Sequence, residues 1–123
     1  MIFLFILLDD EETICHYLVH YNHYERLNHL ISEQSSLDST YSRWKRGQEI
    51  GELLTIDDGI SLLGDQENSS FPIFRQGNTP DVDTVTLCTA QFDFRTLTLT
   101  IYEENPKLNR QPSFVYNLID LFN

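Results

Sequence analysis

The feature that most constrains the fold is an apolar run at the amino terminus that meets four acidic residues. Residues 1–8 read MIFLFILL and residues 9–12 read DDEE. The run is far shorter than the ~20 residues that a membrane-spanning helix needs. A signal peptide would begin with positive charge and end in small residues. We therefore interpret the run as a buried strand that leads into an acidic turn.

The segment after the acidic turn, residues 13–21, has the alternating pattern of a second strand. Its sequence TICHYLVHY places Ile14, His16, Leu18 and His20 on one face and Cys15, Tyr17, Val19 and Tyr21 on the other. Two such segments across a short polar turn predict an antiparallel hairpin. A strand that begins at the first methionine has no earlier element to pair with, so we expect the chain to be the later part of a longer architecture.

The middle of the chain predicts two helices. The first is expected over about residues 38–54, where several apolar residues roughly follow helical spacing: Leu37, Tyr41, Trp44, Ile50, Leu53 and Leu54. Thr55 then fits an N-cap, and the aspartates at 57–58 suit the positive end of a second helix. That helix should run through Leu63 and stop at Gly64.

The rest of the chain predicts a long loop over 65–83 and two further strands. Thr84–Phe92 and Thr96–Tyr102 form a hairpin through the connector 93–95, and 114–118 could add an edge strand. In the second strand Leu97, Leu99 and Ile101 are expected on the covered face. The fold class is therefore α+β, with antiparallel hairpins and two helices between them. We divide 1–123 as a single partial domain: 1–24 strand hairpin, 36–64 helices, 65–83 loop, 84–123 hairpin and tail.

Charge and cysteine content exclude several classes of partner. Eight Lys and Arg against 19 Asp and Glu give a net charge of −11, so nucleic acid and anionic membrane surfaces are disfavoured as partners. Only Cys15 and Cys88 are present, both in apolar strand contexts that predict buried, reduced thiols. This scarcity of cysteine indicates a reducing compartment, so we expect a cytoplasmic protein.

Few residues are arranged for chemistry. His16, His20 and His23, with His29 beyond, have a spacing that could hold zinc on a helix, but their neighbours favour a strand and ordinary histidine roles. The acidic pairs at 9–10, 57–58 and 103–104 fall where solvation and capping suffice. No glycine-rich phosphate cradle occurs, and the absence of GxSxG leaves a hydrolase elbow without support. We expect neither a cofactor nor a metal.

Asn22 is the more informative residue, because it lies where the second strand runs out. An Asn at a strand end can point its side-chain N–H into a cleft as an oxyanion donor. A turn-forming Asn would have the same position in sequence. The residues alone leave both roles open.

The order of several segments resembles the carboxy-terminal part of the acyl-coenzyme A:6-aminopenicillanic-acid acyltransferase family. The matching stretches are HYNHY at 20–24, DSTYSR at 38–43, TIDDGI at 55–60, FPIFR at 71–75, the hairpin TLCTAQFDF at 86–94 and Asn105-Pro106. The family shows an Asn-His strand end, a Ser/Arg-rich helix, a short Thr-x-Asp-Asp helix and a hairpin that ends in Asn-Pro, in this order. Lys107 stands where the family frequently has Cys.

This resemblance implies an αββα sandwich of the N-terminal-nucleophile hydrolases and cleavage of linear amides. Asn22 would be the oxyanion donor, and Arg75 would contact a substrate carboxylate or hold the loop. His23, grouped with Arg75 as substrate-binding, would support the local turn rather than perform acid/base work. The family's nucleophile is a Cys freed at a Gly-Cys bond in the earlier half of the protein, and this sequence has no such bond.

The resemblance therefore implies two partners. One is a small-molecule amide or thioester, with penicillin side chains, acylated amino acids or peptides and bile-acid-like amides all open. The other is an amino-terminal segment or subunit that carries the nucleophile. The alternative is a non-catalytic acidic interaction domain or remnant of that fold.

Overall fold

The computed structural model of the chain describes residues 3–8, 14–20, 38–77 and 84–120. Its elements, in chain order, are β1 (Phe3–Leu8), β2 (Ile14–His20), α1 (Asp38–Ile50), α2 (Ile56–Leu63), β3 (Thr89–Asp93), β4 (Thr98–Tyr102) and β5 (Phe114–Asn117). The strands form a two-stranded sheet, β1-β2, and a three-stranded sheet ordered β3-β4-β5. All pairings are antiparallel, so the predicted α+β class, with helices between hairpins, is confirmed.

The β1-β2 hairpin carries one side of the core. Leu4 pairs with Val19 and Ile6 with Tyr17, and Leu4, Tyr17 and Val19 pack against the helices. Gly59 of α2 lies directly against β1, because a Cβ there would come within 2.7 Å of Leu4 Cδ2 and 2.9 Å of Ile6 Cδ1. The predicted hairpin is confirmed, and its alternation places these residues on the helix side.

The first helix is shorter than predicted and its inward face is more polar. It ends at Ile50, and Gly51 follows with φ 83°, a left-handed conformation that terminates a helix. Its buried positions are Thr40, Arg43 and Gly47, whereas Tyr41, expected on the apolar stripe, is exposed. Among the residues that the structure describes, no helix is long and apolar enough to cross a membrane.

The second helix has the predicted bounds and cap. The Thr55 hydroxyl accepts a hydrogen bond from Asp58 N at 3.2 Å, and Asp58 Oδ2 accepts from Thr55 N at 2.8 Å. The Thr55 hydroxyl also donates to Asp58 Oδ2 at 2.9 Å, and this bond and the one from Thr55 N lower the pKa of Asp58. The helix stops at Gly64. The Asp58 carboxylate therefore caps a helix, as the sequence indicated.

A small apolar core lies between the first hairpin and the helices. Leu53, Leu62 and Ile73 are its buried members, and Trp44 and Ile50 pack against it from α1. Leu53 comes after the end of α1. The sequence therefore predicted correctly that Leu53 is a core residue, but the prediction that it belongs to the helix is wrong. Ile73 comes from the loop, which therefore contributes to the core.

The second hairpin is confirmed, but its first strand begins later than predicted. β3 starts at Thr89, where it pairs with Tyr102 at the end of the five-residue β4. Upstream of Thr89, Val85 forms an isolated bridge with Gln76 instead. β4 is too short to pair with 84–88, and the predicted buried thiol at Cys88 is wrong because that residue is exposed.

The three-stranded sheet has an apolar face that is largely exposed to solvent. Phe92, Leu99 and Tyr116 are in register across it, and Phe114 stacks on Tyr116 with ring centroids 6.1 Å apart. Leu99 and Ile101 are only half-buried. Leu97, predicted on the covered face, lies in the turn before β4 with φ 54° and is exposed. The predicted edge strand is confirmed as β5.

Candidate functional site

Two of the three predicted site residues, Asn22 and His23, lie outside the described residues. β2 ends at His20, just before Asn22, so the strand that was expected to lead to Asn22 is present. His16 is exposed on this strand. Within the described ranges, no three His, Cys, Asp or Glu residues are grouped to hold a metal ion. The third predicted residue, Arg75, is described.

Arg75 is buried and connects the loop to α1. Only 8% of the residue is exposed, and one guanidinium nitrogen, Nη2, donates to Ser39 Oγ in the first turn of α1. Its backbone is fixed by Thr86, whose hydroxyl accepts from Arg75 N at 2.9 Å and whose N–H donates to Arg75 O at 2.9 Å. These bonds fix the backbone of the loop at Arg75 and join its side chain to the start of α1.

A second buried arginine, Arg43, lies one helical turn after Ser39. It is 7% exposed, and its Nη2 makes one long hydrogen bond of 3.5 Å to Thr40 Oγ1. Its Nε has no hydrogen-bond partner in the described part of the chain. Residues one turn apart on a helix are neighbours, so Arg43 and the Arg75–Ser39 contact share one side of α1.

Arg43 was not among the predicted site residues, because the prediction for α1 followed its apolar residues. Tyr41 and Trp44 suggested an apolar stripe, whereas the inward positions are Thr40, Arg43 and Gly47. Arg43 also belongs to the DSTYSR stretch that carries the family resemblance.

Asp65 is the most completely compensated charge near this region. It is 1% exposed, and its carboxylate accepts from Arg46 Nε at 2.9 Å, Arg46 Nη2 at 3.0 Å and Lys107 Nζ at 3.0 Å. Burial alone would raise the pKa of Asp65, but the hydrogen bonds from Arg46 and Lys107 outweigh burial and lower it. The bond to Asp65 also raises the pKa of Arg46.

Asn105, from the predicted Asn-Pro motif, joins the turn after β4 to the end of α2. Its Nδ2 donates to Gly64 O at 2.9 Å and to Gln66 Oε1 at 3.0 Å, and its Oδ1 accepts from Lys107 N at 2.9 Å. A Cβ at Gly64 would collide with Asn105 Oδ1 and Lys107 Cβ. With every polar atom of its side chain bonded, Asn105 is a structural residue.

A cleft of about 510 Å³ opens beside Arg75. One wall is formed by the loop, including Arg75 and Thr86, and the other by Glu103, Glu104 and Asn105. Glu104 Oε2 accepts from Asn109 Nδ2 at 2.7 Å on the outer edge. The cleft therefore has the buried residue Arg75 on one wall and two exposed acidic residues on the other.

Comparison with known proteins gives one match. The model of the protein family described as acyl-coenzyme A:6-aminopenicillanic acid acyl-transferase matches residues 7–108. This region includes the position of Asn22 and both buried arginines, Arg43 and Arg75. The searches of curated proteins and of solved structures gave no match.

Proposed function

Because the chain belongs to the acyl-coenzyme A:6-aminopenicillanic acid acyl-transferase family, we propose that it is the carboxy-terminal segment of an amide hydrolase or acyltransferase. The observation that carries this proposal is the family match over residues 7–108, which spans most of the chain. The proposed segment acts in a cysteine enzyme of the N-terminal-nucleophile type. It needs no cofactor and works in the cytoplasm.

The proposed reaction passes through an acyl-cysteine. A terminal Cys thiol gives its proton to its own α-amino group, and the thiolate attacks the carbonyl carbon of an amide or thioester. The C–N or C–S bond breaks, and the α-amino group returns the proton to the leaving amine or thiol. Water or an amine then attacks the acyl-cysteine, which releases the acid or new amide and restores the thiol.

The nucleophile in this scheme comes from an amino-terminal segment or subunit. Neither cysteine of the chain follows a glycine, since Ile14 precedes Cys15 and Leu87 precedes Cys88. Cys15 lies inside β2, at the irregularity between Ile14, which pairs with Leu8, and His16, which pairs with Leu7. Cleavage before Cys15 would cut the chain inside β2, and neither cysteine has the preceding glycine of the family's cleavage site. We therefore place the nucleophile on a second segment.

The chain itself supplies groups that bind the reacting carbonyl and the substrate. We assign Asn22, just past the end of β2, as the donor that stabilises the oxyanion as charge develops on the carbonyl oxygen. Arg75 is assigned to a substrate carboxylate, and His23 is assigned to the support of the turn. The buried cation at the cleft supports the assignment of Arg75.

The second candidate is a non-catalytic acidic interaction domain or remnant of the fold. The observation that favours it is the exposed apolar face of the three-stranded sheet, where Phe92, Phe114 and Tyr116 are all exposed. Apolar patches of this kind mark interaction surfaces. Under this alternative the sheet binds a protein partner and Asn22 has no chemical role.

Coexpression tests the catalytic proposal. The chain is produced with the coding segment immediately upstream, which the proposal requires to encode a Gly-Cys bond, and amide cleavage is measured with and without Asn22→Ala. We expect the substitution to lower the rate by about 10²–10³ while the melting temperature is unchanged. Ser69→Ala, at an exposed position, serves as the control. Equal rates for Asn22→Ala and the parent would remove Asn22 from the mechanism.

A further inference from the structure

Arg43 carries a buried positive charge that the described part of the chain does not neutralise. Its residue exposure is 7%, its single hydrogen bond to Thr40 Oγ1 is 3.5 Å long, and its Nε is without a partner there. A guanidinium is ionised at all ordinary pH values, so it cannot lower the cost of burial by losing its proton. A buried charge without a counter-ion is strongly unfavourable.

Arg46, one turn further along α1, shows how the same chain treats a structural arginine. Its guanidinium makes two hydrogen bonds of 2.9 Å and 3.0 Å to the buried carboxylate of Asp65. Arg46 is also less buried than Arg43. The two arginines therefore differ in their partners: Arg46 binds a carboxylate, whereas Arg43, within the described residues, binds only the hydroxyl of Thr40.

The surroundings of Arg43 are those of an anion site. The bond from Nη2 to Thr40 shows that the guanidinium turns back toward the start of α1. There the hydroxyls of Ser39 and Thr40 lie on the adjacent turn, and Arg75 brings a second guanidinium to Ser39. Hydroxyl and guanidinium groups donate hydrogen bonds to carboxylate oxygens.

The cleft beside Arg75 lies next to this region. It has a volume of about 510 Å³, and Arg75 is one of its lining residues. Nη2 of Arg75 donates to Ser39, and Arg43 follows Ser39 one helical turn later. The Arg75 side chain therefore links the cleft to the turn of α1 that carries Ser39, Thr40 and Arg43.

We propose that Arg43, together with the hydroxyls of Ser39 and Thr40, binds the carboxylate of a small molecule. The planar fork of a guanidinium matches the two oxygens of a carboxylate. The net charge of −11 disfavours a dianionic phosphate more than a singly charged carboxylate. The site needs no nucleophile, so it stands apart from the proposed acyl transfer.

Thermal unfolding of the full chain in sodium acetate tests the proposal. Compared with sodium chloride of equal ionic strength, 100 mM acetate is expected to raise the melting temperature by about 3 °C, because a ligand of the folded state stabilises it. Arg43→Met should abolish this rise. The same variant should melt no lower than the parent in chloride, because it removes an uncompensated buried charge.

Arg46→Met is the matched control on the same helix. It should lower the melting temperature in chloride, because Asp65 loses its partner, and it should keep the rise in acetate. If the parent shows no rise in acetate, or if Arg43→Met keeps it, the proposal is wrong. An equal or larger rise in sodium phosphate would also overturn the assignment to a carboxylate.

Arg43→Lys keeps the inference testable if the methionine variant does not fold. It retains the positive charge and loses the planar fork, so we expect acetate to bind at least about tenfold more weakly while the chain still folds. Unchanged acetate affinity in Arg43→Lys would contradict recognition by the guanidinium.

Discussion

Arg46 donates two hydrogen bonds to the carboxylate of Asp65, one of 2.9 Å from Nε to Oδ1 and one of 3.0 Å from Nη2 to Oδ2. The pair joins the middle of α1 to the residue that follows the cap of α2. Lys107, 42 residues later in the chain, donates a third hydrogen bond of 3.0 Å from Nζ to Oδ2 of Asp65. Because the backbone carbonyl of Asp65 also accepts from Phe74 N at 2.9 Å, one residue ties four segments together.

Asp65→Asn should destabilise the chain strongly. The substitution leaves Arg46 and Lys107 without a carboxylate, and both are partly exposed, so water recovers some of the loss. We expect the free energy of unfolding to fall by about 2–4 kcal/mol, as measured by urea denaturation at pH 7. Asp120→Asn, at an exposed site, should change it by less than about 0.5 kcal/mol. Similar values for the two variants would mean that the Asp65 cluster contributes little.

The same cluster should make stability fall in acid. The pKa of Asp65 is lowered in the folded chain, so the folded state binds its proton less readily than the unfolded state does. Its contribution is complete above the unfolded pKa of about 3.9 and is lost as pH falls through the folded pKa. Urea unfolding between pH 6 and pH 2 should therefore show a steeper acid loss in the parent than in Asp65→Asn. Parallel curves would contradict the lowered pKa.

Thr55→Ala should weaken the start of α2. The change removes the hydroxyl that accepts from Asp58 N, and Asp58 loses one of the bonds that lower its pKa. A lost N-cap costs about 1 kcal/mol, which urea unfolding followed by circular dichroism would detect. Ser69→Ala, an exposed hydroxyl outside any helix or strand, is the matched control and should be near neutral. A neutral Thr55→Ala would show that the capping box is energetically unimportant.

The parts of the fold that sequence predicted well depend on local rules. The cap at Thr55, the stop at Gly64 and the alternation that pairs β1 with β2 each follow from a few neighbouring residues. The inward turn of Arg43 does not, because it depends on what lies across from α1 rather than on the helix itself. Charged residues are mostly exposed in folded proteins, and the sequence around Arg43 has no local feature that predicts its burial.

Arg75 illustrates the same limit from the other side. Its place in the FPIFR stretch marked it as a candidate, but its contact with Ser39 joins residues 36 positions apart. No local pattern encodes that distance. The late start of β3 has a similar cause, since the strand length is set by its partner β4 and not by the β-rich sequence of 84–88.

Cys88 should react rapidly with a thiol reagent in the folded chain. It is exposed because the preceding segment bridges to Gln76 through Val85 and does not pair with β4. A buried thiol reacts only after unfolding, whereas an exposed thiol is limited by its own thiolate fraction. Mass spectrometry of the native chain after brief treatment with a disulfide reagent should find Cys88 modified without denaturant, and Cys88→Ser should remove that adduct. If Cys88 were modified only in urea, the thiol would be buried in the folded chain, as the sequence predicted, and its exposure would be contradicted.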